Sequence, residues 1–450
     1  MVRCRLNSFL VKIYDYCKQL QEKYGTLSVT MKAFIIDNVK VYTKAQIFKP
    51  GCVVIKGDRI SAVYTEEEYK IWRQNACFKE GEAEVLDGED AYLIPGLIDI
   101  HFHGCNGFDF CDGTQEAIWQ IARYQLSVGV TSICPAVMTL KEDELVHILV
   151  EASCFHRSQN EALSPHTHDL PNTPAATLLA VNMEGPFISR KKKGAQNERY
   201  ILPCNLESYK RFQTAANGLV GFVGLAPEMV DTEDMCKFVR EVSKETRVSL
   251  AHTNADYQTA KAAIEAGAAH VTHMFNAMSP YNHRDPGVVG AAAECEHVMA
   301  ELICDGIHVH PTVIRNSFRL FGKDRLILIS DSMRAAGLPD GIYTLGGQKV
   351  HVKGRRAVLA DDPTVIAGSV TTLPDCVRRS VKFMGIPLEE ALAAATINPA
   401  RSLGASVVKD YGSIEAGKKA DLVLWNRELS LKTVIKNGKI VQNDPHKVRL

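Results

Sequence analysis

LIPGLIDIHFHG, residues 93–104, is an apolar run that closes on two histidines separated by one residue. Side chains alternate along a strand, so His101 and His103 point to the same side and can share a cation. Further apolar runs follow at 130–138, 177–187, 218–228, 248–253, 270–276, 298–309 and 326–331, most of them without the alternation of a half-exposed sheet. Near-continuous apolar runs are what parallel strands buried on both faces require. Helical patterns such as TQEAIWQIARYQLSV, TEDMCKFVREVSK and YQTAKAAIEAG lie between them. Eight strands with intervening helices predict an α/β chain with a (β/α)8 barrel of the TIM type, against an open doubly wound sheet as the alternative.

The reactive side chains stand at the carboxyl ends of these runs: His101 and His103, Glu184, His252, His273, His308 and Asp331. In a barrel those ends converge on one mouth. Taken singly, each has a bland alternative, a hydrogen-bonded core histidine or a helix-capping carboxylate; their joint placement argues against it. Glu184 closes an otherwise apolar strand, where a carboxylate is costly unless paired with a cation. Glu184, His252 and His273 make a one-Glu, two-His set with an open position, the pattern of a catalytic rather than a structural divalent site. Asp331 beside such a cation can take a proton from an attacking water and return it to a leaving amine. By contrast His166-Thr167-His168 has the spacing of the first pair but lies in a proline-rich polar loop, 156–174, and is assigned no role. Lys191-Lys192-Lys193 reads as a solvated run at the edge of an anion site.

Outside the barrel, KAFIIDNVKVY and CVVIKGDRISAVY near one end, and DLVLWN and LKTVIKNGKIVQ near the other, are rich in β-branched residues. They predict a small β-sandwich domain assembled from both ends. The expected division is an extension over 1–30, sandwich over 31–92, barrel over 93–396 and sandwich again over 397–450. The segment 338–370 carries turn and strand signals and reads as a hairpin insertion after the eighth strand. Apolar positions at helical spacing in the extension read as an extra surface helix or a frayed extension.

With 450 residues the chain exceeds one ordinary domain, and 46% hydrophobic against 23% charged residues is the balance of a soluble globular protein. Fifty-two basic residues cancel fifty-two acidic ones, which excludes charge-driven binding of nucleic acid or an anionic membrane but leaves room for a local anion site. Thirteen cysteines, with no CxxC pair, fit reduced thiols in a cytoplasmic chain better than a disulfide framework. No apolar stretch reaches the length of a membrane span.

The motifs IPGLIDIHFHG, NMEGPF, AHTNAD, THMFNAM, DGIHV and ISDSM, in this order, resemble the amidohydrolase superfamily in its sugar-phosphate deacetylase branch, from about Met31 to Val441. The resemblance implies a metal-bearing barrel with a β-sandwich domain. The reaction it implies is hydrolysis of the acetamide of N-acetyl-D-glucosamine 6-phosphate to D-glucosamine 6-phosphate and acetate. It carries Glu184, His252 and His273 over as metal ligands, and Asp331 as catalytic acid/base with His308 orienting the acetamide. Ala195, Asn276, Ala277, Arg284, His308, Ile366, Ala367 and Gly368 correspond to substrate-contacting positions. Arg284 offers the planar fork suited to phosphate. Some family members lack the first histidine pair and use one ion. Here His101 and His103 are present and, with Asp331, offer a second place, although one tightly held ion is favoured. Zinc is the expected ion by ligand type, with iron, manganese or cobalt as alternatives. The family implies a homodimer. Two other readings are a cyclic-amide hydrolase of the same superfamily and a scaffold without catalysis. The first differs by the modified lysine many such enzymes place where this chain has Glu184; the second is opposed by retention of every ligand candidate.

Overall fold

A computed structural model describes residues 33–75, 83–160 and 173–441. The expected helix within 1–30 and the decoy His166-Thr167-His168 fall outside the described residues.

Parallel strands run in chain order. Leu97–Asp99 pairs with Val130–Ile133, which pairs with Thr177–Leu178. Cys134 and Pro135 interrupt the second run, which resumes as Ala136–Val137 and pairs with Val181–Met183. From there the parallel order continues through Val220–Leu225, Arg247–Leu250, His270–Val271, Met299–Ile303 and Leu326–Ile329. At the far side the end of the last strand returns to the first: Asp331 N donates to His101 O at 2.9 Å and His103 N to Ser332 O at 2.7 Å. The strands are short because each is buried on both faces and ends where its polar residue begins. Gly224 shows how tightly they approach, since a Cβ there would stand 2.2 Å from the carbonyl oxygen of Glu184.

Helices separate the strands and cover them. Thr232–Val242 is typical: Asp231 caps it through Asp234 N, and Met235, Phe238, Val239 and Val242 bury one stripe at helical spacing. Leu373–Met384 starts on the Thr372 cap with Pro374 in its first turn and stops at Gly385, which adopts φ 73°. The helix Glu142–Asn160 runs on into the stretch expected to be loop from 156. Its last turns hold an amphipathic face, with Phe155 buried and His156 Nδ1 2.7 Å from Leu178 O.

Both chain ends contribute to a separate seven-stranded sheet, in the order Lys439–Val441, Leu431–Lys436, Leu422–Trp425, Ala83–Pro95, Ala33–Tyr42, Phe48–Lys56, Arg59–Thr65. Asn437 and Gly438 both take positive φ (49° and 73°), as a two-residue hairpin turn demands. The expected two-layer sandwich is one continuous sheet instead. Bulges in Ala33–Tyr42 and its neighbours curl it until Ile60 N meets Lys418 O at 2.9 Å, so its inner face packs Ile36, Val53 and Leu93 against Leu422 and Ile435. The expected boundaries also shift. Ala83–Pro95 carries the sheet past residue 92, and residues 397–410 are helices, Ile397–Leu403 and Ala405–Asp410. Ala400, Leu403 and Val407 pack with Ile98, Phe222 and Ile327 on the parallel strands rather than on the sheet.

The insertion after the eighth strand forms a three-stranded antiparallel sheet, Gly341–Leu345, Gln348–Lys353 and Arg356–Leu359. Its apolar side (Leu345, Val350, Ala357) packs on Met138, Ala195 and Met333, and Gln348 Nε2 donates to Ala195 O at 2.5 Å. This small sheet is a wall of the site described next.

Candidate active site

The carboxyl ends of the strands bring Glu184, His252, His273, His101, His103 and Asp331 together, all buried. Glu184 Oε1 lies 2.9 Å from both His252 Nε2 and His273 Nε2, and those nitrogens are 3.1 Å apart. Three donors bonded at about 2.0–2.1 Å to one tetrahedral ion would stand about 3.3–3.4 Å apart, close to this spacing. The remaining ring nitrogens are tied to backbone carbonyls, His252 Nδ1 to Lys192 O at 2.8 Å and His273 Nδ1 to Asn276 O at 3.1 Å. Each Nδ1 therefore carries the proton and each Nε2 lone pair faces inward, the arrangement of metal-ligating histidines. The chemistry of the donor set fits a divalent cation.

A second group lies beside it. His103 Nε2 is 3.3 Å from Asp331 Oδ1, and His101 Nε2 is 3.5 Å from Glu184 Oε1 and 3.8 Å from Asp331 Oδ1. His101 Nε2 is buried and makes no hydrogen bond. His101, His103 and Asp331 are spaced as one ligand set, and His101 also falls within reach of Glu184 and His273. Burial works against charge on Glu184, but His252, His101 and His273 hold its carboxyl well below the ordinary range. Burial likewise opposes ionised Asp331, and the His103 hydrogen bond with the neighbouring imidazoles pulls its pKa down.

His252, His273 and Asp331 share an unusual backbone, with φ of 44°, 27° and 48°. Non-glycine residues in this region cost about 1–3 kcal/mol each. Each strand ends in a sharp left-handed step that turns its side chain toward the common axis, and hydrogen bonds such as Ser369 N to Asp331 O at 2.7 Å hold it there.

These groups form the floor of a cavity of about 350 Å3. Of the expected substrate positions, Ala195, Asn276, Ala277, His308, Ile366 and Gly368 line it. Ala367 is fully buried behind them, its N–H on Ala357 O. Asn276 turns both its backbone N–H and its side-chain amide onto carbonyls of its own turn, His273 O and Met274 O, so it is a structural lock of the loop that carries His273. Arg284 stands exposed on the loop before helix Gly287–Glu294 and is not among the lining residues. Lys191 and Lys192, expected to be a solvated run edging an anion site, line the cavity, whereas Lys193 pairs with Glu198 at 3.1 Å. A larger crevice, about 630 Å3, opens among Arg157, Arg247 and Ser402 and includes none of the clustered groups.

Three contributors were not singled out from sequence. Gln196 Nε2 donates to Glu184 Oε2 at 2.5 Å while its Oε1 accepts from Thr139 N at 2.6 Å. Glu301 lies beneath the histidines. Asp305 accepts from His308 Nδ1 at 2.7 Å and from the backbone N–H groups of Ile307 and His308. It thereby fixes His308 with Nε2 as the ring nitrogen left for the cavity. Burial disfavours charge on both members of this pair, but the mutual hydrogen bond raises the His308 pKa and lowers that of Asp305. A raised histidine pKa gives stability that is complete below the ordinary value of about 6.5 and lost as pH rises through the shifted value. A lowered aspartate pKa gives stability present above about 4 and lost as pH falls through the shifted value. The pair is therefore strongest between roughly pH 4 and 6.5. Thermal melts of Asp305→Asn should show a larger deficit against the parent at pH 5 than at pH 8.5; an equal deficit at both would contradict the ion pair.

The amidohydrolase family pattern matches residues 92–441, and the chain belongs to that family. Among its relatives, the N-acetylglucosamine-6-phosphate deacetylase of Bacillus subtilis (strain 168) is 34% identical over 410 residues, covering 91% of this chain and 97% of the relative. The N-acetylglucosamine-6-phosphate deacetylase of Bos taurus is 34% identical over 368 residues, 80% of this chain and 85% of the relative. A mutant N-acetyl-D-glucosamine-6-phosphate deacetylase from Mycobacterium smegmatis, solved in complex with N-acetyl-D-glucosamine-6-phosphate, superposes with a TM-score of 0.77. It is 29% identical and covers 91% of this chain and 98% of its own.

Proposed function

We infer that this chain hydrolyses the acetamide of N-acetyl-D-glucosamine 6-phosphate, giving D-glucosamine 6-phosphate and acetate. The carrying observation is one cavity that holds the ligand set Glu184, His252 and His273 and, facing it, the carboxylate of Asp331. The near full-length relatives that share this name supply the substrate.

A divalent cation, Zn2+ by ligand type, would be held by Glu184, His252 and His273, where it would supply Lewis acidity, lowering the pKa of the attacking water from about 15.7 toward 7. Asp331 accepts the water proton and then delivers it to the departing amine nitrogen. His308, oriented by Asp305, donates from Nε2 to the acetamide oxygen as charge develops there. Gln196 and the backbone carbonyls of Lys192 and Asn276 keep the ligands aimed. Ile366 and Gly368, strapped to Asp331 through Ser369, close over the sugar.

The eight parallel strand positions are read as a closed (β/α)8 barrel, supported by the bonds between His101, His103 and the Asp331–Ser332 segment. The working division is an extension over 1–30, a sheet domain from both ends and the barrel between. We further propose a homodimer, and a cytoplasmic setting consistent with ten free cysteines among the described residues. Among those residues no helix is long and apolar enough to cross a membrane.

The test is acetate release from N-acetylglucosamine with and without the 6-phosphate, alongside metal content. Strong preference for the phosphorylated sugar is expected; ring opening of a dihydropyrimidine with no acetate release would replace this reading. Arg284 is carried over as the phosphate partner by resemblance although it stands outside the cavity lining; on that reading Arg284→Ala should reduce kcat/KM for the phosphorylated sugar at least tenfold while leaving the unphosphorylated sugar unchanged, because one charged hydrogen-bonding partner contributes about 1.5–3 kcal/mol. An unchanged preference would shift phosphate recognition to Lys191 and Lys192.

A further inference from the structure

Glu301 occupies the centre of the strand Met299–Ile303, wholly buried among apolar neighbours. A carboxylate in such a place persists only if its lone pairs meet donors. Its Oε2 accepts from His101 Nδ1 at 2.8 Å and from His273 N at 3.0 Å; its Oε1 lies 3.1 Å from His270 Nε2. His270 Nδ1 is in turn 3.0 Å from Ser402 Oγ. The chain Ser402–His270–Glu301–His101 is satisfied throughout with both imidazoles neutral and Glu301 ionised. Glu301 then accepts hydrogen bonds from the Nδ1–H of His101 and the Nε2–H of His270, and the Ser402 hydroxyl donates to Nδ1 of His270.

This arrangement fixes which face His101 shows to the site. With Nδ1 committed to Glu301, Nε2 is turned to the gap between Glu184 and Asp331, where it is buried and unbonded. We propose that Glu301, held by His270 and Ser402, is a positioning residue that sets His101 to ligate a second divalent cation with His103 and Asp331. A carboxylate behind a ligating imidazole raises the basicity of the other nitrogen, and removing such a partner costs about 10–100-fold in metal affinity. The inference rests on the reading of a cation-dependent site. Its test uses no substrate, so a failure of the deacetylase assignment would leave it standing.

Chelator-stripped full-length chain is titrated with Co2+, following the visible absorption bands and total bound metal. The parent should take up two ions per chain. Glu301→Ala should keep the tighter ion, at Glu184, His252 and His273, and bind the weaker one about 10–100-fold less well. Glu301→Gln retains an acceptor toward His101 Nδ1 and should lose less, within about tenfold of the parent. A parent that saturates at one ion overturns the proposal. So does Glu301→Ala holding both ions as tightly as the parent, or losing both together, which would mark Glu301 as support for the His273 backbone alone. If Glu301→Ala does not fold, Glu301→Gln is compared in the parent and in a His101→Asn chain. The proposal requires no further metal loss from Glu301→Gln once His101 is gone, and additive loss refutes it.

Discussion

Replacing Asp331 with asparagine should lower kcat by about 10²–10⁴-fold, the range over which a positioned acid/base contributes, with KM changed little. Asparagine is the informative substitute. Asp331 sits at φ 48°, a region asparagine tolerates far better than alanine or a β-branched residue. The backbone bonds from Asp331 N to His101 O and from Ser369 N to Asp331 O do not involve the side chain, so the strand end should keep its shape. The ion on Glu184, His252 and His273 should remain, because none of the short contacts among those three includes Asp331. Pre-steady-state acetate release with the metal content measured on the same sample separates lost proton transfer from lost cation. Near-normal turnover with the ion in place would move the base elsewhere, first to His308.

The second large effect concerns the joint between the sheet built from both chain ends and the parallel strands. Lys436 belongs to the sheet strand Leu431–Lys436, yet its ammonium is buried. It donates to Asp421 Oδ2 at 2.6 Å, to Thr177 Oγ1 at 2.6 Å and to Thr131 O at 2.9 Å, the last two on parallel strands. Lys436→Met keeps much of the volume and removes the charge, leaving Asp421 buried and unpaired, with side chains on both sides of the pair only 4% exposed. Breaking such a pair costs about 3–5 kcal/mol, and urea unfolding should read a loss of that order. Adding Asp421→Asn should recover part of it, because the uncompensated charge is then gone. A single-variant loss below about 1 kcal/mol would show that water reaches the pair and that the joint rests on apolar packing.

Much of the site was legible because the carboxyl ends of these parallel strands converge: an apolar run closing on a histidine or carboxylate marks its own place. Glu184, His252, His273, His101, His103 and Asp331 all carried that signal, and the folded chain gathers them into two adjoining groups. The argument applied to Glu184 also fits Glu301 inside MAELI and Asp99 inside LID, polar residues within apolar runs, and it was not carried that far. Asp99 is likewise fully buried, its carboxyl pushed up to about 7 by burial despite the Ser330 hydroxyl at 2.5 Å. Gln196 and Asp305 were not legible in this way: Gln196 lies in a polar loop and Asp305 just past the strand Met299–Ile303, where composition does not reveal partners 12 and 3 residues away, and only the folded chain aims them. Gln196 meets Glu184, 12 positions earlier, through the bend at Gly194. The left-handed steps at His252, His273 and Asp331 leave no compositional trace either, because no glycine occupies them.

For the fold, apolar continuity identified the parallel strands but not their breaks. Proline at 135 removes a ladder donor and splits one run, and Gly96 separates the sheet strand Ala83–Pro95 from the parallel strand Leu97–Asp99 within what reads as one apolar stretch. The helices at 397–410 were obscured by their brevity and by Pro399 and Gly404 within fourteen residues.

The sheet built from both chain ends also sets an order of events during synthesis. The strand Ala83–Pro95 pairs on one side with Ala33–Tyr42, available at once, and on the other with Leu422–Trp425, more than three hundred residues later. At about 5–20 residues per second, the ribosome leaves that edge open for roughly 15–65 s. An open edge is a template for pairing with another chain. The parallel strands are therefore all synthesised while the sheet is half finished, and Leu422–Trp425, among the last strands to emerge, covers that edge.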